Sequence, residues 1–349
     1  MPRTSPASSE APLTPNQPRA AVAMKPGAAT ALLDARSLAA LDEVCDLADL
    51  PALDDFTTDR ARAVLADVEI LVTGWGCPPL DAAALAAAPR LRAVVHTAGS
   101  VRGHITEQCW DRGIEVSSAA AANALPVAEY TVAMILLSGK RVLERAREYR
   151  AERRRDNWLA TPATVGNHGR TVGILSASLI GRRVIELLRP YDLPVLLHDP
   201  YVTDAEAAAL GVRPVGLAEL FAQSDVVSVH TPLLPSTRGL VDRELLTSMR
   251  PDAVLINTAR GAVVDQEALT DVLRQDRIRA ILDVTDPDPL PAAHPLWDCD
   301  NALITPHLAG SQGNEWQRLV GLAVGEIGRW AAGDGFAHSV RRERLAFLA

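Results

Sequence analysis

Apolar residues along the chain gather in short runs, each followed by a stretch with helical spacing. The runs at 21–24 (AVAM), 69–74 (EILVTG), 93–97 (AVVHT) and 114–118 (IEVSS) predict strands, and patterns such as 80–88 (LDAAALAAA) predict helices between them. Continuous apolar runs alternating with helices imply a parallel sheet covered on both faces. This first α/β unit is expected to end near residue 120. A long helical pattern then covers 123–156. Its first half is apolar nearly all round, as a buried helix would be. Its second half carries eight Lys or Arg and four acids between Lys140 and Asp156, which reads as a solvated or subunit-contacting face.

Six further runs follow, at 170–175, 194–199, 225–230, 253–258, 279–284 and 302–306. Six strands with intervening helices is the count of a Rossmann domain. A final helix is expected over 311–334, returning to the first unit. The expected organisation is therefore a domain made of 21–122 and 309–349, interrupted by a second domain at 123–308. Residues 1–20 hold five prolines and almost no large apolar side chain. They cannot bury enough surface to offset ordering, so a disordered tail is expected there.

Composition narrows the function classes. With 349 residues the chain is long enough for two cores. A net charge of -8 argues against general binding to nucleic acid or a membrane surface. No apolar run of about 18 residues is evident, so no spanning helix is expected. The cysteines Cys45, Cys77, Cys109 and Cys299 are scattered, as free thiols in a reducing, cytoplasmic setting would be. No histidine is paired at metal-ligand spacing, so no metal is expected.

The stretch VGILSASLIGRRV (172–184) looks like a dinucleotide turn in which Ser176 and Ser178 replace two of three glycines. Context supports a nucleotide more than the glycines do. A strand enters a turn from which a helix starts, and helix N-termini suit a pyrophosphate. Gly181 holds the third glycine position, where helix and strand pack closely. Asp199 ends the next strand, where an acid accepts from the adenosine ribose and repels a 2′-phosphate, favouring NAD over NADP. A serine forced to positive φ costs about 1 kcal/mol, which a hydroxyl bond can offset.

Strand ends carry the remaining chemistry. NTARGAVVD puts Arg260 past one strand, LDVTDPDPL puts Asp288 in a proline-rich loop past another, and TPHLAG puts His307 at the end of the last. Arginine clamps a carboxylate, histidine exchanges a hydroxyl proton, and an acid holds the imidazolium.

These segments, together with NALPVAEYT, HTPLLPSTRGLVD, INTARGAVVDQEAL and ITPHLAGS over roughly 70–312, resemble the D-isomer-specific 2-hydroxyacid dehydrogenase family. The resemblance implies two doubly wound α/β domains, the second a Rossmann NAD-binding domain inserted in a flavodoxin-like substrate-binding one. It implies Arg260 as the substrate-carboxylate arginine and His307 as general acid/base. Asp288 stands where the family usually has glutamate, one methylene shorter. Ala98 and Gly99 in HTAGSV would offer backbone N–H groups to the substrate carboxylate. Apart from the resemblance, Trp75 in TGWGCPP follows a nearby strand, where it lines either the substrate pocket or a core or interface. For the cofactor the resemblance implies Leu179 and Ile180 at the pyrophosphate, Thr231, Pro232 and Thr237 along the next loop, and Thr258, Ala259 and Asp283 near the nicotinamide. Gly310 completes that set with Ser176, Ser178, Gly181 and Asp199. The expected activity is interconversion of a small 2-keto acid, such as glyoxylate or hydroxypyruvate, and its D-2-hydroxy acid, acting on a CH–OH donor. The segment 123–168 resembles the family's dimer arm, so a homodimer is expected. The competing reading is a catalytically weakened, NAD-responsive binding or corepressor-like protein on the same fold.

Overall fold

The computed structural model describes residues 17–48, 50–154 and 157–347. Most of the tail expected at 1–20 lies outside the described residues, but Arg19 and Ala20 already belong to a strand. In chain order the strands are β1 (Arg19–Ala23), β2 (Asp46–Leu47), β3 (Ile70–Thr73), β4 (Ala93–His96), β5 (Glu115–Ser118), β6 (Val172–Leu175), β7 (Val195–His198), β8 (Arg213–Pro214), β9 (Val226–Val229), β10 (Val254–Asn257), β11 (Arg279–Leu282), β12 (Ala302–Ile304) and β13 (Ser339–Val340). The chain forms two compact units. One joins the chain up to Ser118 with Val320–Val340, and the other joins Ala119–Leu319 with Arg341–Ala349.

The first unit holds a sheet in the order β13-β5-β4-β3-β1-β2. Strands β3 and β4 are buried along their whole length, which is why their sequences are unbroken apolar runs. They pair in parallel with Ile70 opposite Ala93. Among the described residues, β13 alone runs antiparallel, on β5. A buried carboxylate fixes that return. Glu326 accepts from Ser117 Oγ at 2.6 Å and from the N–H groups of Ala337 and His338 at 3.1 and 2.9 Å.

The second unit holds an all-parallel sheet in the order β12-β11-β10-β9-β6-β7-β8. The chain direction of winding reverses between β6 and β9, and open α/β sheets bind ligands at the carboxyl ends of strands at such a point. The seventh strand, β8, is a short exposed one with no apolar signature.

The expected helix 123–156 is two helices, Ala120–Gly139 and Val142–Glu152. A capping segment from further along the chain ends the first. Asn167 Nδ2 donates to the Leu136 carbonyl at 3.0 Å, and Gly166 N–H donates to the Gly139 carbonyl at 2.7 Å. A side chain at Gly139 would collide with Asn167, and Arg141 turns the chain at φ 50°. The charged second helix is tied down by Glu144 to Arg279 and by Arg147 to the Asp300 carbonyl. The helix Ala120–Gly139 is long and apolar enough to cross a membrane by length and composition, contrary to the expectation of no such run. Its apolar side, including Ala128, Val132 and Ile135, packs into a core cluster with β6 and the helix Leu179–Leu188. The last helix spans Trp316–Ala331, starting later than expected because a turn at Gly313–Glu315 precedes it.

Candidate active site

At the carboxyl end of β6 the chain turns sharply into the helix Leu179–Leu188. Ser176 stands at φ 79°, the left-handed conformation that glycine adopts without strain. Its hydroxyl is 2.8 Å from Thr231 Oγ1, so one hydrogen bond offsets the backbone cost. Ser178 meets no such demand. It is extended, at φ -61°, and caps the helix by accepting from Gly181 N–H at 3.3 Å. Gly181 is sterically required, because a Cβ there would lie 2.1 Å from the Ser176 carbonyl oxygen. Ile180 is half-buried and Leu179 exposed at this helix start. These features fit a dinucleotide: the one place where a Cβ would fill the turn is kept clear, and a ten-residue helix starts beside it.

Asp199, at the end of β7, serves the same turn. Its carboxylate accepts from Ala177 N–H and Tyr201 N–H, both at 2.8 Å. A carboxylate has about four acceptor sites, so capacity remains for a ribose. Thr231 is buried beyond β9. Thr237 closes the loop after it, donating to the Pro232 carbonyl at 2.6 Å and accepting from Leu234 N–H at 2.8 Å.

At the end of β10, Asn257 shapes the turn that carries Arg260. Its Nδ2 donates to the Arg260 carbonyl and its Oδ1 accepts from Ala259 N–H, both at 3.0 Å. Arg260 Nη1 donates to the Ala259 carbonyl at 2.7 Å. Thr258 is buried against Thr131. At Gly261 a Cβ would lie 2.0 Å from the Thr285 backbone. That contact sets the arginine turn against the loop holding Asp288. Gln266 fixes the same loop, donating to the Asp286 carbonyl and accepting from Asp286 N–H at 2.7 and 2.8 Å.

Asp288 reaches His307 despite the missing methylene. The Asp288 Oδ2 to His307 Nδ1 distance is 2.8 Å. A carboxylate only accepts, so Nδ1 carries the hydrogen, and Nε2 is left bare when the ring is neutral. His307 itself sits at φ 53°, in a loop held by Asp283. That carboxylate, 2% exposed, accepts from Thr305 Oγ1 at 2.6 Å, Leu308 N–H at 2.8 Å and Ala309 N–H at 2.9 Å. Asp283, expected beside a carboxamide, spends most of its capacity on its own chain. Tyr130 extends the network with its hydroxyl 2.9 Å from Thr305 Oγ1. Asn123 accepts from Ser311 N–H at 3.0 Å and lies against Gly310. Asn257, Gln266, Thr305 and Asn123 were not among the expected site residues.

In the first unit, Ala98 and Gly99 follow β4, the former buried and the latter half-buried. Thr97 ties this loop down, its N–H and hydroxyl both donating to the Thr73 carbonyl, at 2.8 and 2.9 Å. Trp75 is 37% exposed, and its carbonyl accepts from Lys25 N–H.

Residues 132–309, about half of the chain, match the model of the D-isomer specific 2-hydroxyacid dehydrogenase, NAD binding domain. The chain belongs to the D-isomer specific 2-hydroxyacid dehydrogenase family. Among relatives of this dehydrogenase family member, a glyoxylate reductase from Thermofilum pendens is 35% identical over 70% of this chain and 73% of its own length. A D-3-phosphoglycerate dehydrogenase from Mycobacterium leprae is 33% identical over 74% of this chain and 48% of its own. The chain thus spans about half the length of the phosphoglycerate dehydrogenases it matches. Among solved structures, the TT0316 protein from Thermus thermophilus superposes with a TM-score of 0.72 at 29% identity, over 93% of this chain and 100% of that one.

Proposed function

We propose that this family member is an NAD-dependent oxidoreductase interconverting a small 2-keto acid and its D-2-hydroxy acid. The observation that carries the reading is the 2.8 Å contact between His307 Nδ1 and Asp288 Oδ2, in a loop packed against the Arg260 turn. In the reducing direction Arg260 binds the substrate carboxylate and polarises the neighbouring carbonyl. A bound nicotinamide supplies the hydride. His307 delivers a proton from Nε2 to the carbonyl oxygen as its carbon becomes tetrahedral. Asp288 keeps the ring in the tautomer that presents Nε2 and stabilises the protonated form. In the oxidising direction the same nitrogen takes the proton back.

Gly181, Ser176, Ser178 and the start of the helix at Leu179 and Ile180 hold the dinucleotide, with Asp199 on the ribose. The negative charge of Asp199 supports NAD over NADP, since a 2′-phosphate would face a carboxylate. Thr231, Pro232, Thr237, Thr258, Ala259, Asp283 and Gly310 form the rest of the cofactor bed. Residues 21–122 with 309–349 take the substrate through Ala98, Gly99 and Trp75. The resemblance of 123–168 to the family's dimer arm supports a homodimer, and a cytoplasmic setting accords with this metabolic role.

The test is NADH oxidation with a panel of 2-keto acids by wild type, His307→Ala and Arg260→Ala. Loss of about a hundredfold or more in kcat/KM in both variants is expected. Tight NADH binding without turnover of any acid by wild type would instead mark an NAD-responsive binding protein. NADPH binding at least as tightly as NADH would overturn the role given to Asp199.

A further inference from the structure

Three polar side chains are buried together in the first unit, at the carboxyl ends of β3 and β4 and in the following loop. Thr73 is fully buried, His96 is 3% exposed and His104 4%. Thr73 Oγ1 is 2.9 Å from His96 Nδ1 and 3.1 Å from His104 Nε2. The two rings lie 4.6 Å apart. Burial keeps both uncharged, pushing His96 down to about 3 and His104 to about 4. Burying two imidazoles around one hydroxyl is costly unless every hydrogen bond is made.

A hydroxyl has one hydrogen and two lone pairs, so Thr73 can bond both rings at once. It thereby joins the end of β4 to the segment that follows the loop. The Thr73 carbonyl meanwhile takes both donors of Thr97. The His104 backbone ties in the neighbouring segments, its N–H donating to Val101 and its carbonyl accepting from Leu80 N–H.

The loop is thus gripped at Thr97 and at His104. Between those grips, the N–H groups of Ala98 and Gly99 make no backbone hydrogen bond among the described residues. We propose that Thr73, His96 and His104 are positioning residues that hold the 97–101 loop in the shape in which Ala98 and Gly99 offer their N–H groups to a substrate carboxylate. The proposal rests on the 2-keto acid reading above and extends it to the residues that build the anion seat.

The test uses the full chain with Thr73→Val, which removes the hydroxyl at nearly constant volume, and Thr73→Ser, which keeps it. In Thr73→Val, amide hydrogen exchange over 97–101 is expected to quicken about tenfold or more. KM for glyoxylate at saturating NADH should rise by a similar factor, with kcat and the NADH Kd changed less than about threefold. Thr73→Ser should match wild type. In wild type, ¹⁵N shifts should show both rings neutral at pH 7. Unchanged exchange in Thr73→Val overturns the proposal, as does a parallel loss of kcat and NADH affinity. If Thr73→Val does not fold, Thr73→Ala decides by the same exchange and KM readouts, and unchanged exchange over 97–101 overturns the proposal. If wild type turns over no 2-keto acid, the functional reading falls, while exchange still judges whether the cluster shapes the loop.

Discussion

Of the second-unit turns that place a non-glycine residue in left-handed backbone, those at Ser176 and His307 hold it differently. Ser176, at φ 79°, has one hydroxyl bond to Thr231 to offset its strain. His307, at φ 53°, sits in a loop that Asp283 grips with three hydrogen bonds and Asp288 steadies at the ring. The first turn has replaced the residue type that suits its backbone and kept the one glycine that sterics demand. The second keeps a strained histidine because buried carboxylate bonds over-determine it, which is the condition under which strain persists at functional sites. A departure from pattern therefore matters less by its identity than by what holds the backbone around it.

The largest effect should follow from breaking the steric half of this comparison. Gly181→Ala puts a Cβ 2.1 Å from the Ser176 carbonyl, and neither backbone can yield cheaply. Fluorescence titration is expected to show NADH affinity reduced by about a hundredfold, and unchanged affinity would mean the turn does not hold the dinucleotide.

Next comes the ring partner. Asp288→Asn keeps the size but not the charge, so the imidazolium loses its support and the tautomer its lock. Expected kcat falls by tens to hundreds of fold, roughly 2–3 kcal/mol, while Asp288→Glu, the usual family residue, stays close to wild type. Equal loss in both variants would show that shape at 288, not the carboxylate, governs turnover.

A third difference separates buried histidines from the half-exposed His307. Burial pushes His96 and His230 down to about 3 and His104 to about 4. An unfolded histidine takes its proton near 6.5. Below that pH the unfolded chain binds protons that the folded chain refuses. Stability is therefore full above about pH 6.5 and falls as pH drops toward 4, by roughly 1 kcal/mol per pH unit for each histidine. Urea midpoints between pH 7 and 5 check this, and a flat profile would mean the three rings are solvated.

The smallest effect is at the serine. Ser176→Gly relieves about 1 kcal/mol of left-handed strain but gives up a hydrogen bond of similar worth. Stability should move by less than about 1 kcal/mol, whereas Thr231→Val should cost about that much, since it removes the bond and leaves the strain. Thermal unfolding of both variants distinguishes the two.

Much of this was legible in the chain. Strands buried on both faces read as unbroken apolar runs, and the positions of Arg260, Asp288 and His307 past strand ends followed from them. The short strands β2, β8 and β13 carry no such signature. The helix break after Gly139 depends on Asn167, which only folding brings near. The same holds for the residues that hold the site. Asn257, Gln266 and Thr305 are ordinary polar residues until tertiary structure supplies their partners. The position of Asp283 past β11 is visible in sequence, whereas its bonds to Thr305, Leu308 and Ala309 are not. Ser176 could be identified as a question of backbone conformation, but its φ and its Thr231 partner required coordinates.

The most direct measurement is single-turnover oxidation of bound NADH by a 2-keto acid, followed by stopped flow in wild type and His307→Asn. If His307 Nε2 delivers the proton, the variant binds NADH normally and transfers hydride at least about a hundredfold more slowly. Equal rates in the two proteins would contradict the account.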